Sequence, residues 1–224
     1  MGKRFEAALK EVDKTKIYSA AEAVALTKKT ATTKFVGNVE AHVRLGIDPK
    51  KTDQTVRTTL TLPHGTGKTK RIAAFVTSGK EKEATDAGAV VVGGEELIKK
   101  IKDTEQIEFD MAIAEPVMMA KLAQIAKLLG PRGLMPNPKS GTVTAEIGKA
   151  VKEFATGKLE FKNDESGNVH IILGKTNYPD DQILDNFKTF MSALSSAKPA
   201  GLKSEYIQSV TMNATMGPGI KVKN

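Results

Sequence analysis

Alternating stretches near each end of the chain enclose a middle in which short apolar runs take turns with helical spacings. From Asn38 to Ile47, "NVEAHVRLGI" sets Val39, Ala41, Val43 and Leu45 against Asn38, Glu40, His42 and Arg44, the period-two pattern of a half-buried antiparallel strand. After the breaker-rich "DPKKTDQ", "TVRTTLTL" (55–62) alternates again and predicts a hairpin with the first strand. Toward the other end "KLEFK" and "NVHIILG" flank "NDESG", a turn composition, and predict a second hairpin. In "EYIQSVTMNATMG" (205–217), Gln208, Val210, Met212 and Ala214 fall opposite Ile207, Ser209, Thr211, Asn213 and Thr215, so one side is a row of hydroxyls and amides. Two helices complete the flanks. "YSAAEAVALTKKTA" carries Ser19 and Glu22 at capping-box spacing, and "YPDDQILDNFKTFMSAL" gathers Ile183, Leu184, Phe187, Phe190, Met191 and Leu194 on one face, with Pro199 beyond its end.

The middle reads as three β–α units: "RIAAFV" (71–76) then "KEKEATDAG", "AVVVGG" (89–94) then "EELIKKIKD", and "FDMAIAEP" (109–116) then a long helix over "VMMAKLAQIAKLLG". Such succession predicts a small parallel sheet flanked by helices. Met118, Leu122, Ile125 and Leu129 form the core stripe of the last helix, which Gly130-Pro131 stops. Each flank holds some 66 residues, barely a core by itself, whereas a helix and hairpin from each end close one α/β layer. The expected fold is α/β with two domains: a discontinuous domain from both chain ends (1–66 and 159–224) and an inserted Rossmann-like parallel-sheet domain (67–158). Gly65, Gly67 and Gly157 stand at the crossings as candidate hinges.

Charge sharpens this picture. The 224 residues carry a net charge of +8, of which the first 66 hold +5 and the last 66 none. A basic excess suits a polyanionic partner, because cations set against phosphates release condensed counterions. Cysteine is absent, which removes disulfides, thiol catalysis and thiolate zinc sites and suits an intracellular, cytoplasmic setting. The charged opening "MGKRFEAALKEVDK" reads as no secretory signal, Glu6 breaks the myristoylation pattern, and no run approaches the roughly 20 apolar residues of a membrane span.

Motif chemistry excludes more than it supports. "LPHGTGKTK" (62–70) resembles a phosphate loop, but the first glycine of that pattern would fall on Leu62, and "TKRIAAFV" continues into a strand instead of a helix. Gly93-Gly94 leads into Glu95 and Glu96, which repel an anion at that helix start. The three histidines show no catalytic or metal spacing, and "NDESGN" (163–168) lacks the register of a calcium loop. No cofactor and no enzymatic activity are expected. From the residues alone, an RNA-binding domain, a protein-interaction module and, more remotely, a nucleotide-binding enzyme remain open.

"LLGPRGLMPNPKSGTV" (128–143) packs three prolines and three glycines between Gly130 and Gly141, with only Arg132 and Lys139 charged, and predicts a stiffened surface loop. This string resembles the signature of the large-subunit ribosomal protein L-one family. The likeness extends to "TKFVGNVEAHVRLGIDPKK", "LPHGTGKTKRIAAF", "FKNDESGNVHIILGK" and "TMNATMGPGI". It implies a split α/β RNA-binding domain with a Rossmann-like insertion, and binding to large-subunit rRNA at the mobile stalk. Further implied partners are tRNA leaving the exit site and the chain's own mRNA as a repression target, with a cytoplasmic protein, monomeric when free. Position by position, the implied RNA contacts are Lys34, Phe35, Asn38, Glu40, His42 and Arg44; Lys162, Asp164 and His170; and Ser209, Thr211, Thr215, Met216 and Gly217.

Overall fold

The structure, a computed structural model, describes residues 2–51, 53–68, 70–77, 79–202 and 205–223. The first part of the chain forms helices α1 (Lys3–Lys10) and α2 (Ala20–Lys29) and strands β1 (Asn38–Leu45) and β2 (Arg57–Thr61). The middle follows as β3 (Ile72–Phe75), α3 (Glu81–Asp86), β4 (Val91–Gly93), α4 (Glu95–Thr104), β5 (Met111–Ala114), α5 (Met119–Leu122), α6 (Ala126–Leu129) and α7 (Ile147–Ala155). Last come β6 (Lys158–Lys162), β7 (Asn168–Lys175), α8 (Asp180–Ser196), β8 (Ile207–Ala214) and β9 (Ile220–Val222). The chain divides into two compact units, Met1–Gly67 with Leu159–Asn224, and Lys68–Lys158.

In the first unit β1 is an interior strand of an antiparallel sheet ordered β7-β1-β8-β9. One strand from the N-terminal segment is thus paired on both edges by strands from the C-terminal segment. Its alternation aims Val39, Ala41, Val43 and Leu45 into a core shared with Val169, Ile171, Leu173, Val210 and Met212. Helices α2 and α8 supply Ala23, Val24, Ile183, Phe187, Phe190 and Leu194 to that same core, closing the apolar side. Each fully buried branched or aromatic side chain stabilises by about 1.5–3 kcal/mol. A capping box starts α2: the Ser19 hydroxyl accepts from the Glu22 N–H at 3.3 Å, and the Glu22 carboxylate accepts from the Ser19 N–H at 2.9 Å.

Pairing departs from the expected hairpins. Strand β2 pairs with β6 in a separate two-stranded sheet, because both edges of β1 are already occupied. Likewise β6 and β7 share the expected turn but only one bridge, Asn163 with Val169, before parting into different sheets. Asn163 anchors the divergence, accepting from the Val56 N–H at 2.8 Å while its own N–H donates to the Val56 carbonyl at 3.0 Å.

The second unit is a three-stranded parallel sheet ordered β4-β3-β5. Ala73, Phe75, Ala112 and Ala114 face α4 and the 116–129 segment, while Ile72, Ala74 and Ile113 face α3 and α7. Burial on both faces explains why β3 is apolar throughout. The expected long helix is broken: 3-10 turns at Pro116–Met118 and Ala123–Ile125 alternate with the short α5 and α6. Met118, Leu122, Ile125 and Leu129 are nevertheless all buried, since both helix types bring residues three or four apart to one side and periodicity does not separate them. Between Pro131 and Ser140 the Pro/Gly loop closes on a buried knot in which the Thr142 hydroxyl donates to the Asn137 carbonyl at 3.1 Å and lies 3.0 Å from the Ser140 hydroxyl.

Within the first unit His64 and Gly65 are held by Asn186 of α8, a fully buried amide with every group engaged. Its Nδ2 donates to the carbonyls of Leu173 at 2.7 Å and Gly65 at 3.0 Å, and its Oδ1 accepts from the His64 N–H at 3.2 Å. Removing it strands the buried Leu173 carbonyl and leaves the part-buried Gly65 carbonyl and His64 N–H without their partner. Asn186→Ala is therefore expected to cost about 2 kcal/mol, against about 1 kcal/mol for Ser19→Ala at the α2 cap. Urea unfolding followed by circular dichroism ranks the two; equal losses would contradict the role given to Asn186.

Candidate nucleic-acid interface

The side of the four-stranded sheet opposite α2 and α8 carries the polar residues, and register aligns them in rows across the strands. Asn168, Arg44 and Ser209 form one row, His170, His42, Thr211 and Lys221 the next, and Ile172, Glu40 and Asn213 a third. Arg44, His170 and Ser209 are exposed, while Glu40, His42, Thr211 and Asn213 are half-buried. Two-sided pairing of β1 brings residues from distant parts of the chain within hydrogen-bond reach.

A polar chain runs through the middle rows. Asn213 Nδ2 donates to the Ala214 carbonyl at 3.2 Å, which turns Asn213 Oδ1 toward His42 Nε2, 2.6 Å away, so that His42 donates there. His42 Nδ1 meets His170 Nδ1 at 2.8 Å, a contact that holds one hydrogen between the rings. His170 Nε2 in turn lies 3.4 Å from Asp164 Oδ2. Asp164 closes the β6–β7 turn by accepting from the N–H groups of Ser166 at 2.8 Å and Asn168 at 2.7 Å and from Asn168 Nδ2 at 3.1 Å. Burial pushes its carboxyl up, but the bonds from Asn168, Ser166 and His170 outweigh this and hold it down at about 2.

Around the start of β1 the surface changes character. Lys34 and Phe35 lie just ahead of the strand, and Phe35 is 59% exposed, which removes it from the core. Thr215 fastens this segment to the turn after β8: its hydroxyl accepts from the Asn38 N–H at 2.9 Å, and its own N–H donates to the Asn38 carbonyl at 2.9 Å. Thr215 is therefore a structural clip as well as a surface hydroxyl. Met216 beside it holds φ at +64° with its side chain 67% exposed. A long side chain in the left-handed region is uncommon and stores strain. The Gly217 N–H donates to the Ala214 carbonyl at 2.8 Å, and a Cβ at Gly217 would stand 3.1 Å from that oxygen.

Not every expected residue joins these rows. Lys162 lies on β6, in the two-stranded sheet, and Asp164 sits outside the rows and reaches them through Asn168 and His170. Conversely, alternation placed Gln208 with the core-facing set, whereas it is exposed. The β1–β8 register skips it, pairing Arg44 with Ser209 and Leu45 with Ile207, and Arg44 Nε donates to Gln208 Oε1 at 3.2 Å. Lys175 and Lys221 were not singled out either; Lys175 Nζ donates to Asn38 Oδ1 at 2.8 Å, and Lys221 extends the histidine row. The signal for Lys221 was the alternation of "IKV" after two glycines and a proline, too short to stand out.

All three candidate hinge glycines have positive φ: +60° at Gly65, +69° at Gly67 and +117° at Gly157. Gly67 is exposed, yet a Cβ there would meet the Tyr178 hydroxyl at 2.8 Å, and Gly157 follows the end of α7 as a helix-terminating glycine. In the second unit Glu115 fills the crevice at the C-terminal ends of β3 and β5, the place where nucleotides sit in such sheets. Its carboxylate accepts from the N–H and hydroxyl of Thr77 at 2.8 and 2.7 Å and pairs with Lys80 at 2.7 Å. A buried carboxylate repels phosphate there; Thr69 of the phosphate-loop-like segment lies outside the described residues. Among the described residues no group of three or more His, Asp or Glu is arranged to hold a metal ion, and no helix is long and apolar enough to cross a membrane.

These features define a class: a mixed α/β protein in which a parallel-sheet unit interrupts an antiparallel one, and the latter presents an open polar sheet face. The chain belongs to the ribosomal protein L1p/L10e family, whose model matches residues 27–218. It is 49% identical over 223 residues to the large ribosomal subunit protein uL1 of Chloroflexus aurantiacus, covering 99% of this chain and 94% of that protein. It is likewise 49% identical over 223 residues to the uL1 protein of Mesoplasma florum, covering 100% and 98%.

The Asp164 cluster has a definite pH signature. A carboxyl held below its unfolded value of about 4 stabilises the fold above that pH and loses the contribution as pH falls toward about 2. Thermal melts between pH 7 and pH 2 should therefore show Asp164→Asn less stable than wild type at neutral pH. The gap should close between about pH 4 and pH 2; a gap that stays constant would contradict the assignment.

Proposed function

We propose that this chain is a structural, non-enzymatic component of the large ribosomal subunit that holds large-subunit rRNA on the polar face of its four-stranded sheet. One observation carries the reading: the open face, rowed with arginine, histidine, hydroxyls and amides, is rimmed at the start of β1 by exposed Phe35 and Met216. Such a surface suits structured RNA, which is recognised through 2′-hydroxyls and phosphates and by packing against unstacked bases. Its relatives, named as large ribosomal subunit proteins, support the assembly. On this reading the contacts are Lys34, Phe35, Asn38, Glu40, His42, Arg44, Lys162, Asp164, His170, Ser209, Thr211, Thr215, Met216 and Gly217.

Two finer roles follow from the family resemblance. The inserted unit shifts about the crossings at Gly65–Gly67 and Gly157 and assists deacylated tRNA in leaving the exit site. The face also binds the chain's own mRNA, repressing its translation. Because one face serves both RNAs, the mRNA leader should compete with rRNA for the free, monomeric, cytoplasmic protein.

Filter binding to protein-stripped large-subunit rRNA tests the face. Met216→Asp should weaken binding at least about tenfold, a loss of about 1.4 kcal/mol. Thr215→Ser, which keeps the clip to Asn38, should bind nearly as wild type, and Lys121→Ala in the inserted unit should change little. Affinity should fall steeply with salt. Equal effects from Met216→Asp and Lys121→Ala, or salt-insensitive binding of the kind a protein-interaction module gives, would remove the face from the function.

A further inference from the structure

Beyond the Arg44 end of the polar rows the surface drops into an open basin of about 620 Å³. Arg44, at the end of β1, and Gln208, at the start of β8, form one wall. Asp48 and Lys51, from the turns after β1, and Ser166, from the β6–β7 turn, form others. We propose that this basin is a pocket for one unpaired, unstacked nucleotide of the bound RNA, a site that adjoins the rows and shares Arg44 with them. The proposal rests on the RNA-binding reading above and names a component of the RNA that this reading leaves open.

Shape and lining carry the assignment. A flat sheet face meets riboses and phosphates, whereas reading an RNA base requires it to be turned out of its stack into a concave site. The volume lies within the range of pockets that take a small organic ligand, about 300–1,000 Å³. A skipped residue in the β1–β8 register puts Gln208 in the wall, and bulges characteristically redirect a side chain at a working surface. Arg44 Nε holds the Gln208 amide oxygen at 3.2 Å, fixing that amide while the rest of the guanidinium keeps its donors.

The mixture of charges selects the ligand. Arg44 and Lys51 suit the phosphates flanking a nucleotide. Asp48, whose Oδ1 accepts from the Lys50 N–H at 3.1 Å, would repel an isolated anion but accepts from the N–H groups that bases carry. Leu202, partly buried against the core, gives the basin an apolar patch on which a base can lie.

Filter binding of the full chain to protein-stripped large-subunit rRNA between 50 and 200 mM KCl tests the pocket, combined with chemical probing of the RNA at single-nucleotide resolution. Lys51→Ala should weaken binding and lower the salt slope by about 1, whereas Gln208→Ala should weaken it with the slope unchanged. Ser166→Trp, which fills the basin from an exposed turn and leaves the histidine row and the Phe35–Met216 rim unchanged, should also weaken binding. One unpaired nucleotide protected by wild type should regain reactivity with Gln208→Ala and with Ser166→Trp, while other protections persist. Wild-type binding with no such nucleotide, or with all three variants unaffected, overturns the pocket and leaves the face standing. Failure of the wild-type chain to bind this RNA at all overturns both.

Discussion

Strand β1 has no free edge, and the rest of the first unit follows from that. Its neighbours β7 and β8 begin well over a hundred residues away, so the N-terminal segment acquires a complete ladder only by receiving strands from the far end of the chain. The same pairing drives β2 to β6, assembles one apolar core for α2 and α8, and aligns side chains from three remote stretches into rows. Whatever lies between the two flanks must then satisfy its own hydrogen bonds and bury its own surface. The middle unit does so with two apolar layers on either side of its parallel sheet.

The polar face combines order with exposure. Its histidines and carboxylate are not loose surface groups, because Asn213, His42, His170 and Asp164 fix one another in a chain whose ends are tied to backbone groups. Preorganisation of this kind lowers the entropic cost of engaging a partner. Around the start of β1 the opposite holds: Met216 stands strained and exposed next to the Thr215 clip, which is how backbone strain is commonly stored where a surface works.

Alternation made the interior sheet legible, because a half-buried strand writes its two faces directly into residue order; all of Val39, Ala41, Val43 and Leu45 point inward as expected. Pairing partners were less legible, since nothing within β2 records that β1 is already occupied on both edges. Gln208 was misplaced because a bulge shifts the phase of alternation without changing composition. Helices α1 and α7 were illegible for different reasons: α1 buries only Ala8, so it carries almost no apolar stripe, while the apolar positions of α7 come directly after a loop rich in proline and glycine. Of the candidate contacts, those on β1, β7 and β8 came together through register alone, and Lys162 did not, because its strand belongs to the other sheet.

Interior placement of β1 also sets a schedule for biosynthesis. About 120 residues separate its last position from the first of β7, so at about 5–20 residues per second the emerging strand waits many seconds for its partners. During that interval the interrupting unit, whose contacts are local, completes its own core, while the apolar side of β1 stays open to solvent or to a chaperone. Folding of the first unit is thereby postponed until its final strands leave the tunnel.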